Sequence, residues 1–267
     1  MYTSKIASIS LLSLLSFPLL AETNECSDYQ LVWQDEFNYT GLPDPSKWTY
    51  EEGYVRNKEM QYYERESLAN TEVKDGYLSI NALFDPSENP AYTSASVTTQ
   101  GKASWRYGKI EVSASIPTEK GMWPAIWMLG DNIRKVNWPR SGEIDIMEHV
   151  SKHPGRIHFN TVYYDYENKK KHKANGGRTE IDNPNEFNTF AIDWDKDKID
   201  FLVNGKISHT FNTNVTQRDK NPFHKPQFLL LNLAVGGWGG IPDLNSFPAS
   251  FKIDFVRVYQ KQCGSKK

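Results

Sequence analysis

The segment Lys109-Ile110-Glu111-Val112-Ser113-Ala114-Ser115-Ile116 alternates polar and apolar side chains, with the apolar ones on the even numbers. A period of two over this length indicates a half-buried β-strand, because successive strand side chains point to opposite faces. Residues 77–83 have the same period, and so do residues 251–259, where the apolar side chains are expected on the odd numbers. The alternation predicts a fold built from strands that each bury one face.

Two further segments predict strands of other kinds. Residues 199–207 contain Asn204-Gly205 between apolar runs, and this dipeptide supplies the two positive φ angles of a type I′ hairpin turn. Residues 228–235 are nearly all apolar, which is typical of a central strand covered on both faces. The lysine-rich residues 169–173 are expected to form a solvated loop. With no convincing amphipathic helix, repeat or linker, we predict an all-β chain folded as one antiparallel β-sandwich of the jelly-roll type.

Composition excludes several classes of protein. The 267 residues include 31 Lys and Arg against 33 Asp and Glu, so the net charge is 31 − 33 = −2. Nucleic-acid binders and polybasic membrane-surface proteins usually show a basic face, so neither nucleic acid nor membrane is an expected partner. The aromatic content of 13%, with 8 Trp, suits either sugar stacking or a wide β-core.

The N-terminal segment has the layout of a secretory signal peptide. Lys5 precedes an apolar run over residues 6–20, and the small residue Ala21 provides a cleavage site. The run is shorter than the ~20 apolar residues of a membrane helix. We therefore expect residues 1–21 to be removed, leaving residues 22–267 as a single domain, secreted or periplasmic and monomeric.

Three acidic residues are concentrated in one strand, because residues 143–148 read Glu-Ile-Asp-Ile-Met-Glu. In a regular strand Glu143 and Asp145 share a face, whereas Glu148, five positions after Glu143, falls on the opposite, apolar face. One extra residue near Ile146-Met147, a β-bulge, returns Glu148 to the face of the other two acids. Bulges are common beside active sites because they re-aim a side chain.

The predicted geometry matches a glycosidase. Four effective strand steps of ~3.3 Å separate the two Glu backbones by roughly 13 Å, and converging carboxyls then lie about 5–6 Å apart. A retaining glycosidase places its nucleophile and its acid/base ~5–5.5 Å apart, and an inverting enzyme needs a wider gap. The charge of Asp145 favours one carboxyl that keeps its proton near neutral pH, as a general acid must. The alternatives are a solvent-facing acidic strand, which like-charge repulsion disfavours, and a calcium site.

Residues 143–148 resemble the signature of glycoside hydrolase family 16 in its bulged form, E-x-D-x-x-E. The resemblance to laminarinases of this family extends over roughly residues 33–259 and includes segments 57–63, 121–130, 138–139, 232–237 and 254–259. It implies a concanavalin-like jelly roll with a concave substrate cleft and no cofactor for catalysis. The expected partner is a β-glucan polysaccharide.

The resemblance also implies roles for individual residues. Glu143 corresponds to the nucleophile, Glu148 to the acid/base, and Asp145 to a helper that hydrogen-bonds the nucleophile. Indole rings suit the apolar face of a pyranose, although core packing is the alternative for each Trp. The implied substrate-binding residues are Trp123, Trp127 and Trp138 along the cleft, Asn57 and Glu59 on the donor side, His158 on the acceptor side, and Asn232. A lone histidine beside a strand is often structural, so a structural role is the alternative for His158.

Two structural expectations concern a metal and a disulfide. Family members often hold a calcium ion away from the cleft, and the matching positions are Glu36 and Gly76 through backbone oxygens and Asp254 through its carboxylate.

Cys26 and Cys263 lie at opposite ends of the mature chain, and export makes a disulfide between them chemically feasible. The alternative is two unpaired thiols, and two cysteines cannot form a zinc framework.

One departure from the family pattern affects specificity. Laminarinases often carry an arginine in the strand where this chain has Ser96, and its loss removes donors to sugar hydroxyls. The resemblance favours an endo-acting, retaining β-1,3-glucanase that acts on laminarin-type glucans. The alternatives are a mixed-linkage β-1,3/1,4-glucanase or algal galactan hydrolase of the same family, a non-catalytic β-glucan-binding protein, and a lectin or polysaccharide lyase on a similar jelly roll.

Overall fold

The structure, a computed structural model, describes residues 26–168, 170–217 and 219–263, and nearly all of its regular elements are strands. The strands are β1 (Cys26–Asp35), β2 (Thr49–Tyr50), β3 (Tyr62–Tyr63), β4 (Thr71–Lys74), β5 (Tyr77–Phe84), β6 (Tyr92–Ser94), β7 (Ser96–Thr98), β8 (Gly108–Ser115), β9 (Met122–Gly130), β10 (Glu143–His149), β11 (Arg156–Asp165), β12 (Lys170–Glu180), β13 (Asn188–Trp194), β14 (Lys198–Val203), β15 (Lys206–Asn212), β16 (Gln227–Val235) and β17 (Ala249–Cys263). The helices of the described chain are α1 (Ile133–Val136) and the 3₁₀ turns Pro222–His224, Gly237–Gly239 and Leu244–Ser246.

The strands form two sheets. The first, here called the cleft sheet, has seven strands in the order β12-β11-β10-β9-β16-β7-β2. The second, the outer sheet, has ten strands in the order β15-β14-β13-β8-β17-β5-β6-β3, with β1 also paired to β17 and β4 to β5. Every pair is antiparallel except the short parallel pair of β3 and β6. The predicted antiparallel sandwich is confirmed.

The core lies between the sheets and is built by the alternation seen in the sequence. In β8, Ile110, Val112 and Ala114 are fully buried and point toward the cleft sheet. All nine residues of β16 are buried, as predicted for a central strand. Its neighbours β9 and β7 cover its edges, and its two faces contact two separate apolar clusters. The second of these clusters underlies the cleft.

The alternation predicted for β17 is wrong beyond its middle. Phe251 and Ile253 are fully buried as expected, but the register against β8 shifts between Ile253 and Phe255. After this bulge the even-numbered Val256 and Val258 are the fully buried residues. The physical reason is that one extra residue in a strand exchanges the two faces for everything that follows it.

Two local predictions have opposite outcomes. Asn204 and Gly205 have φ angles of 49° and 76°, so the type I′ hairpin between β14 and β15 is confirmed.

The loop expected at residues 169–173 is wrong from Lys170 onward, because β12 begins there as the edge strand of the cleft sheet. Lysines on an edge strand hinder pairing with another chain, so their solvation and strand structure are compatible.

The backbone brings the two cysteines together. Cys26 on β1 is the register partner of Cys263 on β17. Antiparallel partners have Cα atoms about 4.5–5.5 Å apart, within the range a disulfide spans. Their side chains, and the predicted signal peptide at residues 1–21, lie outside what the structure describes. Within the described residues, no helix has the length and apolarity needed to cross a membrane.

Candidate active site

The acidic strand β10 contains the predicted bulge. Asp145 is opposite Trp127 of β9, and Met147 is opposite Ile126, so one residue of β10 is extra between them. Ile146 and Met147 are both fully buried, which means that two consecutive side chains point into the core. Glu148 therefore returns to the face of Glu143 and Asp145, and the predicted bulge is confirmed.

A glycine sets the path of the chain into this strand. Gly142, immediately before Glu143, has a φ of +77°, a conformation that L side chains rarely adopt. A Cβ atom at this position would also lie 2.6 Å from Cβ of Pro222. Only glycine lets the backbone turn here while it is pressed against Pro222, so this residue fixes where the acidic strand begins.

Each of the two glutamates accepts a hydrogen bond from one tryptophan. Trp138 donates from Nε1 to Oε2 of Glu143 at 3.0 Å, and Trp123 donates from Nε1 to Oε1 of Glu148 at 3.0 Å. The Trp138 side chain is 46% exposed and Trp123 is half-buried, so neither ring is the fully buried core residue that was the alternative. The indoles orient the carboxyls and leave their rings available to a ligand.

Burial controls the protonation of the three acids. It raises the pKa of Glu143 and of Glu148 to about 7 from an ordinary value of 4.5. It also raises the pKa of Asp145 well above its ordinary value, and the charges of both glutamates add to that effect. The positive charge of Arg56 lowers the pKa of Glu143, whereas the negative charge of Glu143 raises that of Glu148. Both glutamates therefore keep a proton more readily than a solvent-exposed carboxyl does.

The predicted donor-side residues form a connected polar group. Glu59 is buried, and its carboxylate accepts hydrogen bonds from Asn57 Nδ2 at 3.1 Å and from Gln61 Nε2 at 2.8 Å. Asn57 has a φ of 54°, a conformation that asparagine tolerates, and this turn brings its side chain back to Glu59. Gln61 Oε1 in turn accepts from the backbone N–H of Val235 on β16, which ties the loop to the cleft sheet.

The cleft floor contains a second hydrogen-bonded chain. Trp127 Nε1 donates to Asn232 Oδ1 at 2.8 Å, and Asn232 Nδ2 donates to the Tyr63 hydroxyl at 3.0 Å. Trp127 is 8% exposed and the Arg56 guanidinium lies 4.8 Å from its ring centroid. Trp127 is thus part of the floor, and a sugar that stacks on it would have to share the ring with Arg56.

His158 lies beside the acid at the other end of the site. It is the register partner of Glu148 on β11, so the two side chains share a face of the sheet. Its ring is 4.8 Å from that of Trp238, which also contacts Trp123 edge-on at 5.7 Å. His158, predicted on the acceptor side, thus lies on the Glu148 side of the site, and Trp238, 47% exposed, extends the aromatic wall there.

These groups surround a single depression of about 430 Å³ on the outer face of the cleft sheet. The predicted residues that line it are Asn57, Glu59, Trp123, Trp127, Glu143, Asp145, Glu148 and Asn232. Trp138 and His158 stand at its rim through their contacts with Glu143 and with Trp238. The structure thus assembles every predicted catalytic and substrate-binding residue in one region.

Comparison with known proteins identifies the family. The sequence profile of the glycosyl hydrolases family 16 matches residues 47–257. The chain belongs to glycoside hydrolase family 16. This family 16 enzyme is 41% identical over 251 residues to the beta-glucanase of Rhodothermus marinus, with 89% of this chain and 87% of that protein covered. The predicted glycoside hydrolase and its jelly-roll fold are confirmed.

Two other relatives of the family 16 enzyme differ in their substrates. SCLam, a non-specific endo-β-1,3(4)-glucanase solved as a variant with 1,3-β-D-cellotriosyl-glucose, matches with a TM-score of 0.81 at 39% identity, over 88% of this chain and 96% of that chain. The keratan-sulfate endo-1,4-β-galactosidase of Sphingobacterium multivorum is 35% identical over 254 residues, which cover 91% of this chain and 58% of that protein. The family thus includes relatives that act on different sugars.

Sequence reasoning missed a guanidinium in the cleft of this family 16 enzyme. Ser96 occupies the strand position where an arginine was expected, and its Oγ donates to Glu51 Oε2 at 2.6 Å. Glu51 forms an ion pair with Arg56, which lines the depression. The available signal was the charge of Arg56 next to Asn57, but only the fold shows that this loop lies over the strand of Ser96.

The three positions predicted for calcium meet on the outer sheet. Glu36 follows the end of β1 and Gly76 precedes β5, and these two strands flank the same edge of β17 on either side of its bulge. Asp254 lies within that bulge, and the Glu36 carboxylate is already paired with Arg257 at 2.7 Å. Among the described residues no three His, Cys, Asp or Glu side chains cluster as a metal site, so any cation here depends on backbone oxygens.

Proposed function

We propose that this family 16 enzyme is an endo-acting β-1,3-glucanase that hydrolyses laminarin-type β-glucans with retention of configuration. The observation that carries the proposal is the bulge in β10, which places two tryptophan-held glutamates on one face of the cleft sheet. The beta-glucanase and glucan-bound relatives support a glucan as the substrate.

The proposed mechanism begins with Glu143 as the nucleophile. Its ionised carboxylate attacks the anomeric carbon while Glu148 donates a proton to the departing glycosidic oxygen, and a covalent glycosyl-enzyme forms. Glu148, now ionised, then takes a proton from water, which attacks the same carbon and releases the sugar from Glu143. Asp145 lies between them, and because burial and the charges of both glutamates raise its pKa well above the ordinary value, it keeps its proton while a glutamate is ionised.

A substrate panel tests the choice of glucan. Purified enzyme is incubated with laminarin, lichenan, agarose and carrageenan, and released oligosaccharides are measured. We expect the highest kcat/KM on laminarin, with a mixture of oligosaccharides from the first minutes because cleavage is internal. Preference for lichenan would favour mixed-linkage glucan, for which the SCLam complex is a precedent. Products from agarose or carrageenan alone would favour a galactan hydrolase and overturn the proposal.

The stereochemical course is tested separately. Proton NMR during hydrolysis distinguishes the anomer formed first from the one produced later by mutarotation. Retention requires that the β-anomer appear first, because two displacements at one carbon restore its configuration. First appearance of the α-anomer would show a single displacement and would remove the nucleophilic role of Glu143.

We also propose that the outer sheet holds a structural calcium ion. The convergence of Glu36, Gly76 and Asp254 around the bulge of β17 fits a set of backbone and carboxylate oxygens. A bound ion would stabilise the folded state by mass action. Chelation with EDTA is therefore expected to lower the Tm, and added Ca²⁺ to restore it. An unchanged Tm would refute the site.

Export is a further proposal, supported by the sequence of residues 1–21. N-terminal sequencing of protein recovered from culture medium or periplasm is expected to begin at Glu22. Protein that retains Met1 and remains with the cells would contradict both cleavage and export.

A further inference from the structure

A guanidinium covers one of the aromatic rings on the cleft floor. Arg56 lines the depression, and its Cζ lies 4.8 Å from the centroid of the Trp127 ring, which is itself only 8% exposed. An arginine over an indole face is held there by cation–π attraction. A sugar that enters this part of the cleft therefore meets the guanidinium instead of an open aromatic face.

The guanidinium is also fixed from the side of the neighbouring strand. Arg56 Nη2 donates to Glu51, and the Glu51 carboxylate accepts a further hydrogen bond from Ser96 Oγ at 2.6 Å. The backbone N–H of Glu51 donates to the Ser96 carbonyl at 3.0 Å, which ties this carboxylate to β7. A donor group that is already held in one geometry loses little conformational entropy when it binds a ligand.

The hydrogen bonding of this guanidinium is incomplete. Nη2 has its acceptor in Glu51, whereas Nη1 is buried and has no hydrogen-bond partner among the described residues. A buried polar group without a partner costs free energy and is uncommon in folded proteins. Because Arg56 lines the depression, an oxygen atom of a ligand in the cleft can complete the set of acceptors around the fork.

The charges nearby favour a neutral ligand at this position. The positive charge of Arg56 is already paired with Glu51, and the other ionisable residues that line the depression are four carboxylic acids. An anionic group such as a sulfate or a uronate would be placed beside these acids, and like charges held close together are unfavourable. A hydroxyl oxygen accepts the same hydrogen bond without that cost.

The sheet order places Arg56 on one side of the acids. His158 stands on β11, and the strands continue from there in the order β10, β9, β16 and β7. Arg56 contacts Trp127 of β9 and, through Glu51, is joined to Ser96 of β7. It therefore lies across the acidic strand from His158, on the side assigned to the donor sugars.

We propose that Arg56 is a specificity-determining residue on the donor side of the cleft, where Nη1 donates a hydrogen bond to a hydroxyl group of a neutral glucosyl unit. The inference rests on the proposed function and adds the group that recognises a donor-side sugar. Glu51 and Ser96 hold that group in place without contacting the substrate.

Binding measurements without hydrolysis give the first test. Glu143→Gln is used as the background, and the affinity for laminarihexaose is measured by isothermal titration calorimetry. Adding Arg56→Met keeps an apolar stem over Trp127 but removes the donors, so affinity should fall about 10- to 100-fold, the value of a hydrogen bond from a charged group. The matched control is Arg65→Met, an exposed arginine paired with Glu52 and Glu66, which should bind as the background does.

The choice of bond gives a second test, which general structural damage would not affect. Arg56→Met with Glu143 intact cleaves laminarihexaose in water labelled with heavy oxygen, so that mass spectrometry identifies each new reducing end. A weakened donor side should hold fewer glucosyl units, and the products from the non-reducing end should become shorter. Damage to the fold would instead lower the rate at every bond alike.

Each outcome decides the inference. Unchanged affinity in Arg56→Met, or weaker affinity with an unchanged choice of bond, would overturn it. If Arg56→Met does not fold, Arg56→Lys decides, because it keeps the charge without the fork and should bind about 3- to 10-fold more weakly, whereas unchanged affinity would overturn the inference. A Glu143→Gln background that does not bind laminarihexaose would refute the proposed function, and the inference would fall with it.

Discussion

The chemistry of single residues in this cleft depends on taking carboxyls out of water. Glu143, Asp145 and Glu148 stand on a sheet face whose neighbours are indole rings, and burial is the largest cause of the raised pKa of each. Burial and neighbouring acids favour the neutral form of a carboxyl, which is the form that a proton donor needs. Burying several carboxyls together, however, lowers the stability of the fold. Activity and stability therefore oppose each other at these positions.

Replacing Glu143 tests its role as nucleophile. Glu143→Gln keeps the size and the acceptor for the Trp138 indole but cannot form the glycosyl ester, so kcat should fall at least about 10³-fold. The matched control is Glu186→Gln, the same change on an exposed loop. Hydrolysis of laminarin at the parent rate by Glu143→Gln would show that the reaction does not use β10.

The pH dependence of kcat/KM should be bell-shaped. In the proposed mechanism Glu143 must lose its proton and Glu148 must keep its own, and both have a pKa raised to about 7. The limbs report the pair and not single residues, because the two groups interact. We expect a narrow maximum near neutrality, with activity falling on either side. A rate that continues to climb above about pH 9 would exclude Glu148 as the proton donor.

Glu148→Gln should stabilise the enzyme in alkaline solution. Because folding raises this pKa from 4.5 to about 7, the folded chain holds the proton more tightly than the unfolded chain. The resulting stabilisation is complete below about pH 4.5 and is lost as the pH rises through about 7. Neutral Gln has no such loss, so at about pH 8 the variant should gain about 1–2 kcal/mol, roughly 3–6 °C in Tm. Thermal unfolding of the parent and the variant at the acidic and the alkaline end of this pH range measures the gain. An equal Tm difference at the two pH values would contradict the prediction.

The bulge is the element that turns an acidic strand into a site. Its extra residue makes Ile146 and Met147 both face the core while the acids on either side of them face the cleft. Side-chain direction in a strand depends on whether the number of intervening residues is odd or even. The orientation of Glu148 is therefore sensitive to the length of this segment and less so to its composition.

Changing that length by one residue in each direction should give different results. Deleting Met147 leaves a regular strand in which Glu148 still faces the cleft, so activity should persist within about 100-fold, with reduced stability from the lost core side chain. Inserting Ala after Met147 adds one residue before Glu148. In a strand that keeps its single bulge, Glu148 then points toward the core, and hydrolysis should be abolished. Laminarin assays with circular dichroism as the folding control measure both. Equal activity in the two variants would contradict this account.

The two bulges show what sequence can and cannot predict. The bulge in β10 was predictable because a regular strand would have placed Glu148 on the apolar face beside Ile144 and Ile146, a conflict that the sequence itself shows. The bulge in β17 was not, because Phe255 and Val256 are both apolar and either suits the interior. Likewise Trp123 and Trp138 could be assigned to the cleft, but the contacts of Glu51 with both Arg56 and Ser96 join residues of two segments and require the fold.

At the scale of the whole molecule, the two sheets have different tasks. The cleft sheet carries the acids and aromatics on its outer face, and the outer sheet supports it across the shared core. The outer sheet also holds the backbone of both cysteines and the three predicted calcium positions on or beside β17. The disulfide and the calcium site predicted for this chain are thus both far in the fold from the catalytic cleft.

Removing the proposed cystine should therefore affect stability and spare catalysis. Cross-linking Cys26 to Cys263 would close nearly the whole described chain into a loop, and the chain-entropy model predicts a stabilisation of roughly 5.5 kcal/mol for a loop of this length. The double variant Cys26→Ser, Cys263→Ser should lower the Tm, with kcat/KM on laminarin unchanged at moderate temperature. Mass spectrometry without reduction gives the thiol count of the parent. Two free thiols and an unaltered Tm would refute the bridge.

Strand β17 also constrains when the molecule can become a folded enzyme. It lies between β8 on one edge and β5 and β1 on the other, so until β17 is in place the outer sheet is two separate groups of strands and an unpaired β1. A ribosome must therefore synthesise the chain through residue 263 before the sandwich can close. A nascent chain that stays unfolded until the end of its synthesis can still pass through a translocation channel.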